Sequence, residues 1–497
     1  MVMFELAHSP AGFLSHMLGE ALPHDLPLDA YEQWWETRGR AISSDVDRAG
    51  TAWIRQYDLM ANRIDELVFP SGYRDMLLEG YQNGVIWRGF APADEGLTAV
   101  YALGYIAGYY DTGLYCPYTV SLATAAVVDK YAAPDVRARY LPRMLARDET
   151  VWQGATWMTE ARGGSDLGNS VETIARQTRA GWRLTGEKYF CSNANAELAV
   201  VAARPEDAPP GVRGLALFLV PRYRQDGSLN VYIRRLKDKI ATRSVPTGEV
   251  ELRDSEAYLL GKPEHGIYLI MEVLNLSRVA NNIGSVSLMQ NALAQAYAFA
   301  SERQAFGKRL LDQPLMRRQF EQKWQGLHAA FALAWETVLL AEEAWREPAG
   351  SYSERFQLFR IMIHLAKYWT AEQAVQYAKW AMEVNGGQGT LAEFGVERLL
   401  REAMITDIWE GPPHRQALDG LEAMERKGAH RLLFAHLAPY ADAGALQDMQ
   451  ARVEAHLALA QAEKEAGAFD LFDALAPFAA SALVRKYEAI EMMADRS

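Results

Sequence analysis

With 497 residues and 49% apolar side chains, the chain has enough material for several buried cores and is globular rather than disordered. Its net charge of −12 disfavours general attraction to nucleic acid or anionic lipid, so an anionic ligand must meet a local basic pocket. Only Cys116 and Cys191 are present, which excludes a disulfide framework, a CxxC pair and a thiolate metal site and fits a reducing, intracellular compartment.

The opening MVMFELAHSPAGFLSHMLGE has no basic start, and Glu5, His8 and His16 interrupt its apolar residues, so it reads neither as a secretory signal nor as a transit peptide. No stretch reaches the roughly 18 to 20 apolar residues of a membrane span. A soluble, cytoplasmic protein without a membrane span is therefore expected. From Leu28 to about Arg147 the text is helical, with apolar residues three and four apart in YEQWWETRGRAISSDVDRAG and RIDELVFPSGYRDMLLEGYQNGV. The stretch TAVYALGYIAGYYDTGLYCPYTVSLATAAVVDKY is apolar on nearly every side, as one or two helices buried in a bundle would be.

The texture changes near Trp152. From there to about Gly261, β-branched and aromatic residues alternate with polar ones, RAGWRLTG and RQDGSLNVYI carry hairpin punctuation, and AELAVVAAR and GLALFLVPRY read as buried strands. Helices resume at Gly266, where Ile283, Val286, Met289, Leu293, Tyr297 and Ala300 form one apolar stripe. A helix from Ile267 to Arg303 would be about 55 Å long. Two long amphipathic segments, Pro314 to Trp345 and Tyr352 to Val384, follow and imply a bundle. The last piece is alanine-rich; from Arg431 onward it holds six basic and ten acidic residues, a balance of −4. The expected division is a helical N-terminal domain 1–150, an antiparallel β domain 151–261, a helical bundle 262–430 and an additional helical tail 431–497.

There is no GxGxxG after a strand, no Walker A loop, no HExxH and no GxSxG, which weakens metal and serine-nucleophile readings. Four stretches are odd for packing alone. In WMTEARGGSD, two glycines between Thr159 and Ser165 let backbone amides approach a ligand, although an ordinary polar loop would look the same. In EKYFCSNAN, Phe190 and Ser192 lie two apart and share one side of a strand, which suits a flat heterocycle or a plain core pair. In SERQAFGKRLLDQPLMRRQF, Arg303, Lys308 and Arg309 flank the Phe306–Gly307 break, where they would receive a phosphate or neutralise a helix end. EVNGGQGT, Glu383 to Thr390, clusters glycines after a helix, as a C-cap or as a close contact for a ligand.

Together with IWEG, these stretches resemble the acyl-CoA dehydrogenase family over roughly residues 60 to 430, and TEARGGSD, LKDKIATRS, QPLMR and EVNGGQG resemble its AidB-like branch. The resemblance implies a mainly α fold with an inserted β domain, and FAD between the β domain and the bundle. It implies that Thr159 and Ser165 bond the flavin edge and pyrophosphate, with Ser165 also near substrate, and that Phe190 and Ser192 cover the isoalloxazine ring and bond near N5. It further implies that Arg303 and Phe306 reach the FAD of a neighbouring subunit and that Glu383 and Gly387 hold the adenine end, in a homodimer or homotetramer. Many members carry glutamine where Glu383 stands and a small hydroxyl residue where Pro412 stands.

In the family the glutamate of the EG motif, here Glu410, removes the α-proton of an acyl thioester while hydride leaves the β-carbon. That base needs a raised proton affinity, which burial beside Trp409 would supply. Locally, Glu410 would equally suit the N-terminus of the helix opened by Pro412 and Pro413. Ser277 stands where some relatives carry the base instead, and Arg278 would lie near the base or the thioester. The leading expectation is an FAD-dependent acyl-CoA dehydrogenase passing electrons to an electron-transfer flavoprotein. The alternatives are an AidB-like DNA-binding flavoprotein, disfavoured by the acidic tail, and an oxygen-using flavin oxidase on the same fold.

Overall fold

The computed structural model describes residues 2–91, 96–348 and 352–494. The chain forms two compact units, and neither is continuous in sequence. One combines Met1–Gln33, Pro92–Tyr110 and Arg278–Ser497, the other Trp34–Ala91 and Asp111–Ser277. The segment 1–150 contributes to both units, and the second unit gives way to the first inside the helix Gly266–Glu302. The physical reason is burial: Leu97, Tyr101 and Tyr105 of the helix Gly96–Tyr110 are fully buried, and that helix covers them by packing on Pro314–Trp345 and Pro10–Leu18.

The second unit contains the helices Thr112–Tyr131 and Pro134–Met144 and a β domain. It also contains a hairpin where an all-helical segment was expected, Trp53–Tyr57 against Arg63–Val68. The turn residues decide this locally. The Asp58 side chain accepts from Met60 N at 2.8 Å and Asn62 N at 2.9 Å, and Ala61 takes a left-handed φ of 62°.

In the β domain, Leu198–Pro205 pairs with Gly154–Trp157, Ile174–Thr178 and Ala216–Pro221; Gly181–Ser192 links Ile174–Thr178 to Thr247–Leu260, which pairs back onto Ala216–Pro221. The ladder therefore closes on itself. Two pairings, Leu198–Pro205 with Gly154–Trp157 and with Ile174–Thr178, are parallel, so the domain is mixed where a purely antiparallel one was expected. Trp157, Ala199, Val201, Phe218, Ile233 and Val250 fill its interior. The turn at RQDGSLN is closed by Arg224 N to Ser228 O at 2.8 Å, yet Ala216–Pro221 and Val231–Leu236 do not pair with each other. Each runs along Thr247–Leu260 instead.

In the first unit, Pro314–Trp345 and Glu354–Asn385 are packed helices of 32 residues each, and Val396–Ile408, Pro413–Lys427 and Ala429–Leu437 follow. The closing helix Ala468–Ala494 packs on Pro314–Trp345, Glu354–Asn385 and Pro413–Lys427. The end of the chain is thereby part of this unit. Among the described residues no helix is long and apolar enough to cross a membrane, and no cluster of His, Cys, Asp or Glu could hold a metal ion.

Candidate active site

Glu410 sits in a short turn between Val396–Ile408 and Pro413–Lys427. Its φ of 58° and that of Gly411, 99°, put two successive residues in the left-handed region, which is unusual and strained for a glutamate. The surroundings hold this turn by its carbonyls. Glu410 O accepts from Arg278 Nε at 3.0 Å and from Gln416 Nε2 at 3.0 Å, and the same amide gives a hydrogen bond to Gly411 O at 2.8 Å. Only glycine fits at 411, because a Cβ there would lie 2.8 Å from Gln416 Nε2. Gln416 is fully buried, and His364 Nδ1 lies 2.9 Å from its Oε1, which fixes the orientation of the amide.

The side chain of Glu410 is treated differently from its backbone. The residue is half-buried, but its Oε2 is closed off from solvent and has no hydrogen-bond partner among the described residues. The helix Pro413–Lys427 has no side-chain cap, so Glu410 is not there to satisfy its first amides. Burial pushes the carboxyl up to about 7, with Arg278 and Lys367 pulling against it. Trp409 Nε1 is likewise buried without a partner. An unpartnered carboxyl oxygen and an unpartnered indole N–H thus stand on successive residues of one turn.

Arg278 is buried, and its guanidinium lies 3.7 Å from Asp419, which Arg415 also holds. Lys367 is fully buried and donates to Asp407 O at 2.7 Å. Asn281 Nδ2 adds a bond to Thr406 O at 2.9 Å, so the helix leading into the turn is held by two side chains. Of these residues only Arg278 was expected at the site from sequence. Gln416, His364, Lys367, Asp419 and Asn281 were missed. The available signal was His364 and Lys367 breaking the apolar run IMIHLAKYW three residues apart, which places both on one helix face.

The β domain carries a second set of residues. Thr159 is half-buried and Ser165 exposed, on a loop anchored by Glu160. The Glu160 carboxylate accepts from Glu172 N at 2.6 Å, Thr173 N at 3.1 Å, Thr173 Oγ1 at 2.6 Å and the buried Lys188 Nζ at 2.6 Å. Tyr189 N donates to Thr159 O at 3.0 Å and ties the loop to the strand Gly181–Ser192. A register irregularity between Lys188 and Cys191 then leaves Phe190 exposed and Ser192 half-buried, with Cys191 buried between them. The Phe190 ring is 54% exposed, a large apolar face offered to solvent, and Lys237 Nζ lies 4.6 Å from its centroid.

In the first unit, the expected break at Phe306–Gly307 is the tip of a small hairpin, Gln304–Ala305 against Lys308–Arg309, with Phe306 in the left-handed region and 97% exposed. Arg303 is exposed beside it, while Arg309 is paired with Asp312 at 2.8 Å. Glu383 is exposed and paired with Lys379; Gly387 is exposed in the short helical turn Gly386–Thr390. The structure therefore gathers Arg278 with Glu410, and gathers Thr159, Phe190 and Ser192 around one strand end. Phe306 and Gly387 stand on separate, solvent-facing turns. Pro412 supplies carbonyl contacts to Arg415 N at 2.8 Å and Gln416 N at 3.2 Å, where a hydroxyl residue was noted in relatives.

Within each unit, taken by itself, residues leave surface of the kind that a flavin nucleotide needs. A side chain at Gly163, Gly386 or Gly387 would meet open space, so the backbone there is accessible to a bulky ligand, and the exposed Phe190 ring offers a flat apolar wall.

Three family models match in succession along the chain: the adaptive response protein AidB N-terminal domain at 42–149, the acyl-CoA dehydrogenase middle domain at 155–255 and the acyl-CoA dehydrogenase C-terminal domain at 264–425. The chain is 27% identical to acyl-CoA dehydrogenase family member 11 of Caenorhabditis elegans over 78% of its own length and 66% of the relative's, thus just under two thirds of that protein. It is 29% identical to AidB of Escherichia coli K12 over 76% of its length and 70% of the relative's. Among solved structures, apo Bd2924 is similar with a TM-score of 0.86 and 28% identity, covering 96% of each chain. The C. elegans protein solved with C11-CoA shares the fold, with a TM-score of 0.83 at 22% identity over 96% of this chain and 89% of that one. The three successive models and the shared fold lead to one assignment: the chain belongs to the acyl-CoA dehydrogenase family of oxidoreductases and is similar to its AidB-like branch.

Proposed function

We propose that this protein catalyses the α,β-dehydrogenation of an acyl-CoA thioester with FAD, Glu410 being the base. The observation that carries this reading is the Oε2 of Glu410, buried without a partner among the described residues on a strained turn whose two carbonyls are held by Arg278 and Gln416. The weakly acidic α-hydrogen of a thioester calls for a base of high proton affinity, and burial provides one near neutrality. Glu410 takes the proton at its carboxylate; Arg278, with its Nε on the Glu410 carbonyl, keeps the turn from swinging out as the charge changes.

Thr159, Ser165, Phe190 and Ser192 would hold the flavin end of FAD, and Arg303, Phe306, Glu383 and Gly387 would meet its nucleotide end across a subunit contact in a dimer or tetramer. Bound FAD would supply the hydride acceptor, since no side chain accepts a hydride. An electron-transfer flavoprotein is the proposed recipient of the electrons. The acyl-CoA substrate class is supported by the C. elegans relative solved with C11-CoA.

The test is an anaerobic titration of the purified yellow protein with acyl-CoAs of graded length. Bleaching of the flavin by at least one thioester, abolished in Glu410→Gln with FAD retained, is expected. Absence of bleaching by every thioester, together with DNA binding that falls steeply with salt, would replace this reading with a DNA-associated one. Rapid reoxidation by oxygen would replace the dehydrogenase with an oxidase.

A further inference from the structure

Lys367 is a fully buried ammonium whose one hydrogen bond among the described residues goes to a peptide carbonyl, that of Asp407 at 2.7 Å. Lysines are almost never fully buried, and one without a carboxylate hydrogen bond is costlier still. A methionine would fill the same space without that penalty, so packing does not account for the charge. Its location does. Asp407 lies in the last turn of Val396–Ile408, three residues before Glu410, where helix carbonyls lack intrahelical partners and favour a cation. One turn earlier on the same helix face, His364 holds Gln416, whose amide bonds both carbonyls of the catalytic turn. One face of Glu354–Asn385 thus grips the turn before and after the glutamate.

We propose that Lys367 is a positioning residue for Glu410, seating the base through the Asp407 carbonyl and supplying the positive charge against which its carboxylate forms. This rests on the reading of Glu410 as the base. The charged groups that bear on Lys367 are Asp407, Glu410 and Arg278, and those that bear on Glu410 are Arg278 and Lys367. Arg278 is itself occupied by Asp419 and by the Glu410 carbonyl, and Arg360 and Arg415 repel it. Among the described residues Lys367 is therefore the cation in this set that is not already committed to a carboxylate by an ion pair. Burial lowers its own proton affinity to about 7, Arg278 acting in the same direction while Asp407 and Glu410 oppose. The ammonium accordingly depends on the two carboxylates for its charge, as they depend on it.

The experiment compares wild type, Lys367→Met, Lys367→Gln and Lys367→Arg, full-length and loaded with FAD. Two quantities are followed over pH 5 to 9: the rate of bleaching by a fixed acyl-CoA, and the shift in Tm that Glu410→Gln produces in each background. Losing the positive charge should move the acidic limb of the rate profile up by about one pH unit or more, and lower the rate at pH 7 about tenfold. KM should change less than twofold, and Lys367→Arg should restore the limb. The Tm difference caused by Glu410→Gln should shift to higher pH by the same amount in Lys367→Met and Lys367→Gln. A rate loss uniform across pH, or Tm profiles that superimpose on wild type, would overturn the proposal and leave Lys367 a packing residue. If no thioester bleaches the wild type, the dehydrogenase reading fails, while the Tm comparison still decides the coupling of Lys367 to Glu410. Should Lys367→Met fail to fold, Lys367→Gln and Lys367→Arg carry both comparisons.

Discussion

Glu410 and Glu336, two glutamates of the same helical unit, are both drawn out of water and end in opposite states. Glu336, on Pro314–Trp345, is 1% exposed; Lys486 Nζ lies 2.9 and 2.7 Å from its two oxygens, and His436 Nε2 lies 2.7 Å from one of them. Burial pushes its carboxyl up, but the His436 hydrogen bond and the Lys486 charge outweigh this and hold it below the ordinary carboxylate range. Glu410 is also desolvated at its Oε2, has no such bonds there, and has a proton affinity raised to about 7. The lesson is that burial alone does not make a base; burial with the partners withheld does. Glu160 in the other unit repeats the first pattern, since Lys188 and Thr173 satisfy it. Glu336 and Glu160 serve structure.

The contrast breaks most visibly at Glu410. Glu410→Gln should slow thioester-dependent bleaching by about 10² to 10⁴-fold with FAD binding intact, as expected for removal of a general base. A loss under about tenfold in stopped-flow traces would mean that the proton goes elsewhere. Glu336→Ala should instead leave bleaching intact and lower stability by about 2 kcal/mol in urea melts. Breaking a buried pair costs more than this, but Lys486 and His436 are partly exposed and rehydrate.

The two carboxyls should also pull stability in opposite directions with pH. Glu410, raised in the fold, adds stability below the ordinary carboxylate range that is lost as pH climbs through about 7. Glu336, lowered in the fold, adds stability above that range that is lost as pH falls through it. Glu410→Gln should therefore raise Tm relative to wild type at pH 8 and not at pH 4. Glu336→Gln should lower it at pH 8 and less so at pH 4. Profiles that run in parallel for the two variants would remove the distinction.

A smaller effect is expected where the last helix packs on Glu354–Asn385 and Pro413–Lys427. Tyr368 OH donates to Asp473 at 2.7 Å, Phe472 lies 5.3 Å from Tyr368 between ring centroids, and Phe469 lies 5.2 Å from His414. Gly420 faces the Phe472 ring so closely that a Cβ would stand 2.4 Å from it. Gly420→Ala should destabilise by about 1 to 3 kcal/mol through overpacking, readable as a lower urea midpoint. An unchanged midpoint would show that the helix yields without loss. The smallest change is expected at Phe190. Phe190→Ala removes an exposed ring and should weaken FAD retention by about three- to tenfold, measured by equilibrium dialysis of the apoprotein.

Much of this was legible in the chain. The stripe from Ile283 to Ala300 identified the long helix, the alternation after Trp152 identified the β domain, and the glutamate between a tryptophan and Gly-Pro-Pro became a candidate base only through the family resemblance. Glycine and proline fix backbone options locally, and periodicity is a local property. The hairpin Trp53–Val68 was missed because Asp58 and Asn62 make a turn through side-chain contacts inside a text of helical spacing. Gln416 and Lys367 were missed because each acts on carbonyls through space, 6 and 40 residues away along the chain.

By itself the sequence determined the long helices and the extent of the β domain, that the chain is acidic and globular, and that a carboxylate would stand at the break before Pro412, because each of these follows from neighbours in the chain. Tertiary structure alone decided which buried glutamate keeps its partners and which is denied them. That depends on side chains converging from different helices, and no linear spacing encodes the direction in which two separate helices bring their faces together.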